Sequence, residues 1–114
     1  WTTQLRKGFL ELCILNLVAQ GEMYGYELIK RLTRIQGLVV TEGTIYPLLS
    51  RLRKSGVLAT RLQESASGPA RKYYRLTGAG EESRNLMNLY WDELGGGVRQ
   101  LMTLEEELTT DEHR

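Results

Sequence analysis

Between residues 41 and 76 the apolar spacing changes period once, and that change restricts the chain to few folds. Ile45, Leu48, Leu49 and Leu52 fall on one side of a helix at 100° per residue, and Gly56 stops it. Leu58, Thr60 and Leu62 then alternate in the manner of a half-buried strand. A run of turn formers follows at 65–69, after which Lys72, Tyr74 and Leu76 alternate with Arg71, Tyr73 and Arg75 on a return strand. The pattern predicts a short helix leading directly into a β-hairpin.

The preceding residues supply two more helices. The first spans about residues 3–20 and stops at Gly21. Leu10, Cys13, Ile14, Leu17 and Val18 form one apolar stripe, and Phe9, Leu12, Leu15 and Ala19 add a second. A helix apolar on two sides needs two things to pack against, which is a first hint of an oligomer. A second helix fits residues 24–34, with Tyr24, Leu28 and Leu32 at four-residue spacing and Gly37 at its exit. Leu38, Val39 and Val40 then suit a very short strand. Either Thr41 or Thr44 can cap the third helix. With Thr44 as cap Pro47 sits harmlessly in the first turn, whereas with Thr41 it removes an internal hydrogen bond. Three helices, a tiny strand and a hairpin, in that order, predict a mostly α fold with a small β wing, the winged helix-turn-helix.

Charge is segregated along the sequence although the whole chain carries only +1. Residues 41–80 hold seven basic side chains against two acidic, and residues 81–114 hold three against nine. One part of such a chain suits a polyanion, and a modest pI does not argue against nucleic acid. On the third helix Gly43, Pro47, Ser50, Arg51 and Lys54 lie opposite the apolar face, flanked by Thr44 on one side and by Tyr46 and Arg53 on the other. Small side chains permit close approach to base edges, while Arg51 and Lys54 can neutralise phosphates. A plain solvated face would use the same charges, but four more cations on the adjoining hairpin, Arg61, Arg71, Lys72 and Arg75, favour contact with DNA backbone. Thr44, Tyr46 and Ser50 are candidates for reading the bases, Thr41 for contact with DNA, and Tyr24, at the start of the second helix, for a phosphate.

A length of 114 residues suits one domain with an appended element. No run approaches the ~20 apolar residues that cross a bilayer, and the N-terminal apolar stretch, interrupted by Glu11 and Asn16, lacks a signal-peptide plan. Cys13 has no second cysteine to pair with and lies in an apolar stripe, where it reads as a small core hydrophobe. These features fit the cytoplasm. Enzymatic chemistry is poorly supported: the single histidine, His113, is one residue from the end, and no triad, zinc-ligand or phosphate-loop spacing occurs. No cofactor or metal is expected.

The last third predicts a partner helix. Thr77 is a fair N-cap, and Met87, Trp91, Leu94, Val98, Leu101 and Leu108 follow a heptad seam broken at Glu105. Gly95, Gly96 and Gly97 interrupt it, and at ~1 kcal/mol each they weaken a helix interior by ~3 kcal/mol. The helix therefore bends or breaks there, or small residues are needed for close backbone contact. Gly78 and Gly80 weaken the first turn in the same way. Trp91 on the seam suits core packing or stacking on a ligand, and Phe9, Met87 and Tyr90 are candidates for lining the same interface. An acidic tail at 109–114 reads as a solvated end.

The chain resembles the PadR-like transcriptional regulators. The resemblance rests on residues 10–15, on Tyr24-Gly25-Tyr26-Glu27-Leu28, on residues 41–52 with their Thr-Glu-Gly-Thr-Ile-Tyr-Pro core, and on Gly68-Pro69-Ala70-Arg71-Lys72-Tyr73-Tyr74-Arg75-Leu76-Thr77. It implies a dimeric repressor of palindromic double-stranded DNA, with the third helix in the major groove and the wing, about 57–76, on the backbone. It also implies a DNA-binding domain over residues 1–77 and a C-terminal dimerisation helix over 78–108. In this family the interface often encloses a pocket for small aromatic or lipophilic effectors, for which Met87, Tyr90, Trp91, Leu94, Val98, Leu101 and Phe9 are the candidates. Two other readings stay open: a winged-helix protein-interaction module without specific DNA binding, and a small-molecule sensor built on the dimer pocket.

Overall fold

Seven elements follow one another: α1 (Thr2–Val18), β1 (Met23–Tyr24), α2 (Gly25–Leu32), α3 (Glu42–Lys54), β2 (Leu58–Ser65), β3 (Gly68–Leu76) and α4 (Gly78–Glu112). The structure, a computed structural model, describes residues 1–112. The chain divides into two units, Trp1–Arg84 and Asn85–Arg114.

In the first unit every helix contributes to one core. Leu10, Ile14 and Leu15 of α1, Leu28 and Leu32 of α2, Ile45 and Leu49 of α3 and Leu58 of β2 are at most 2% exposed. Each such side chain contributes roughly 1.5–3 kcal/mol relative to an exposed one. Leu12 and Leu15 belong to the stripe of α1 expected to await a partner, yet both are already buried within the single chain. Cys13 is half-buried, and burial pushes its thiol pKa up, as suits a packing residue.

The ends of α3 explain its orientation. Thr41 is the N-cap residue, so Pro47 lies inside the helix and cannot donate to the Gly43 carbonyl. Thr41 makes no side-chain cap; its hydroxyl stands 3.2 Å from that of Thr44, and its carbonyl accepts from the N–H groups of Thr44 and Ile45. At the other end Val57 N–H bonds Leu52 O and Gly56 N–H bonds Arg53 O, with Gly56 at φ 87°. That is a Schellman stop, and its left-handed residue favours glycine.

The sheet is antiparallel in the order β1-β3-β2. The third strand is not the expected one. Residues 38–40 form no strand, and Val39 is 67% exposed; Met23 and Tyr24 pair instead with Tyr74 and Tyr73. The free edge of β3 is taken by the segment entering α2, so the later apolar triplet finds no ladder. The wing alternation also fails beyond Thr60: Leu62 is exposed where a half-buried position was expected, because the hairpin tip extends past the two residues of β1. Register slips between Gln63 and Ser65, and Pro69, which has no N–H to offer a ladder, lies opposite that irregularity.

Thr77 joins the sheet to α4. Its hydroxyl accepts from Gly80 N–H at 3.0 Å, closing the first turn, and donates to Gly56 O at 2.7 Å. In the second unit α4 remains helical across residues 95–97, so the break allowed for at the glycines does not occur. A Cβ at Gly96 or Gly97 would meet nothing within 4 Å. Leu86, Leu89, Leu94, Val98, Leu101, Met102 and Leu104 of this unit are all more than half exposed. The acidic tail begins as a continuation of α4 to Glu112; His113 lies outside the described residues. No described helix is long and apolar enough to cross a membrane.

Candidate nucleic-acid interface

Amphipathicity of α3 turns one face inward and the other out. Ile45, Leu49 and Leu52 are buried and Leu48 is half-buried, while Thr41, Thr44, Tyr46, Arg51, Arg53 and Lys54 are exposed and Ser50 is half-buried. The expected division into a core face and a basic face is therefore present. Arg51 is not a free cation: its guanidinium pairs with Glu11 of α1 at 3.1 Å. An exposed pair of this kind contributes at most about 1 kcal/mol, so Arg51 can leave it or share it at little cost. Beside the pair, a groove of about 580 Å³ between α1 and α3 is floored by Leu10, Pro47 and Leu48.

Tyr46 is placed by a glycine. A Cβ on Gly25 would stand 2.6 Å from its ring, so α2 must begin with a residue that leaves the ring room. Tyr46 then shares a cleft of about 290 Å³ with Tyr24, Tyr26, Tyr74, Arg71 and Lys72. This cleft links the recognition-type helix to the wing. Tyr74 forms its buried wall, and burial, with Tyr46 nearby, pushes its phenol pKa up.

On the wing the cations differ in their surroundings. Arg71 lies with its guanidinium carbon 4.7 Å from the centre of the Tyr24 ring, and the residue is exposed. Lys72 and Arg75 are exposed. Arg61 is engaged: its Nε donates to Glu22 at 2.7 Å, another nitrogen donates to Gln63, and it lies 4.9 Å from the centre of the Tyr73 ring. The hydrogen bond and charge of Glu22 raise its pKa further above the usual range.

The structure thus brings Tyr24, Tyr46, Arg71 and Lys72 together around one cleft, with Thr44, Ser50, Arg51 and Lys54 on α3 and Thr41 at its N-cap. Glu11 and Glu22, which hold two of the arginines, escaped the sequence reading. Their partners lie 40 and 39 residues away, and no spacing rule connects such positions. Of the interface candidates, Met87, Tyr90, Trp91, Leu94, Val98 and Leu101 follow one another along α4; Tyr90 is 63% and Trp91 46% exposed, and Phe9 is a half-buried residue of the first unit. Among the described residues no group of three or more His, Cys, Asp or Glu is placed to hold a metal ion.

Comparison with known proteins finds relatives of this chain. Residues 14–86 match the model of the transcriptional regulator PadR-like family. The chain is 37% identical over 98 residues to transcriptional regulator Rv3488 of Mycobacterium tuberculosis, covering 82% of this chain and 90% of that protein. It is similar to the crystal structure of a PadR-like transcriptional regulator from Bacillus cereus, with 40% identity, 87% and 96% of the two chains covered and a TM-score of 0.78. A PadR-like transcription factor from Bacteroides fragilis matches with 41% identity, 88% and 96% coverage and a TM-score of 0.76.

Proposed function

We propose, from the premise that this chain belongs to the PadR-like family of transcriptional regulators, that it is a homodimeric repressor of a palindromic operator. PadR-like regulators bind DNA and are not enzymes. In this reading α3 enters the major groove, Arg51 and Lys54 meet phosphates or guanine, and Thr44, Tyr46 and Ser50 approach base edges. Tyr24, Thr41, Arg71 and Lys72 contact the backbone and set the register. The exposed apolar side chains of α4 supply the dimer contact, and Tyr90 and Trp91 offer flat surfaces there for a small aromatic or lipophilic effector that releases the DNA. The protein acts in the cytoplasm, where that DNA is.

The single observation that carries the reading is the exposed face of α3, which presents Thr44, Tyr46, Arg51 and Lys54 while its other face is buried. Its test is a salt series. Replacing Arg51 and Lys54 by Ala removes two cations from that face, and the slope of log affinity against log salt then falls by about 1.8 for two lost phosphate contacts. Unchanged affinity and slope would overturn the assignment.

A further inference from the structure

One face of the three-stranded sheet carries a continuous stack of side chains. Glu22, just ahead of β1, holds Arg61 of β2. Arg61 lies over Tyr73 of β3. Tyr73 is the register partner of Tyr24 on β1, and their rings stand 5.6 Å apart at 58°. Tyr24 in turn carries Arg71 of β3 at 4.7 Å. Carboxylate, cation, ring, ring and cation alternate along this line, so each member has a favourable electrostatic neighbour.

The two arginines at its ends differ. Arg61 gives donors to Glu22 and Gln63, and its charge is balanced by the carboxylate. Arg71 has no salt bridge to a carboxylate among the described residues, and its guanidinium carbon lies over the Tyr24 ring. A guanidinium set over a ring, with no carboxylate taking its donors, has them available for a phosphate. β1 consists of two residues, too short a strand to be held firmly by its ladder alone. The Glu22–Arg61 pair adds a second fastening between that strand and the hairpin, next to the residue that begins α2.

We propose that Glu22 and Arg61 are positioning residues for DNA binding: through Tyr73 and Tyr24 they fix Arg71 where its donor edge meets a backbone phosphate, and Arg61 itself does not touch DNA. This rests on the DNA-binding reading above. It also separates Arg61 from the other wing cations, with which its charge alone would group it.

The sign of one substitution decides the matter. Glu22→Gln removes a negative charge near the DNA-facing side. If Arg61 were a phosphate ligand restrained by Glu22, the variant would bind DNA more tightly. A positioning role predicts the opposite, a loss of roughly three- to tenfold, toward the lower end of what removing one member of a coupled set costs. The loss should vanish in an Arg71→Ala background, where nothing remains to be positioned. Salt slopes give a second readout that does not depend on how much protein is folded. Arg71→Ala lowers the slope by about 0.9, and adding Arg61→Ala lowers it no further.

The probe is a duplex carrying the site recovered by selection from random DNA, or a random-sequence duplex if no site is enriched. Tighter or unchanged binding by Glu22→Gln, or a further fall of about 0.9 in the Arg61→Ala, Arg71→Ala slope, would overturn the positioning role while leaving DNA binding intact. Absence of salt-dependent binding by the unaltered chain would instead overturn the DNA-binding reading, and this proposal with it.

Discussion

A single missing methyl group at Gly80 allows α4 to start where it does. A Cβ there would overlap the Val57 carbonyl oxygen and press on the Leu76 side chain, and the oxygen is backbone that cannot swing aside. Val57 O also accepts the N–H of Thr77, so displacing it disturbs the cap as well. Gly80→Ala should therefore lower stability by about 1–3 kcal/mol through overpacking, against the gain of ~1 kcal/mol that alanine normally brings inside a helix. A denaturant midpoint below that of the unaltered chain checks this. A midpoint at or above it would mean that the α4 entrance can relax. Surroundings likewise separate residues of one type: Arg51, Arg61 and Arg71 lie on a carboxylate, between a carboxylate and a ring, and on a ring alone.

At the scale of elements, glycines with nothing around them behave differently from Gly80. At Gly96 the space that a Cβ would fill is open, and α4 is helical on both sides. Gly96→Ala should raise helix stability by about 1 kcal/mol, measured as increased helical circular dichroism and a higher melting point. A fall in either, accompanied by dissociation of a dimer, would show that another backbone packs against this position. Much at this scale was legible beforehand. The period of α3, its stop at Gly56 and the return of the hairpin are local properties of the chain, and the structure has them. Non-local pairing was not legible. Met23 and Tyr24 give no strand signal, and only the edge of β3, some fifty residues later, makes them one, while Val39, which looks like a strand residue, finds no edge. For the same reason no local spacing pairs Glu11 with Arg51 or Glu22 with Arg61, and Gly80, a weakness of the helix by propensity, is a requirement of its packing.

For the whole molecule, the near-neutral total conceals two chemistries, a cationic segment from 41 to 80 and an acidic one from 81 onward. The first folds into a helix and hairpin whose exposed cations suit a polyanion. The second carries a row of exposed leucines along α4. A homodimer would use both, placing two copies of α3 in successive major grooves about 34 Å apart. The corresponding measurement is selection of bound sites from random duplex DNA by the full chain. The account predicts enrichment of an inverted repeat with half-site centres about ten base pairs apart. Recovery of no enriched sequence, or of a motif without twofold symmetry, would contradict it.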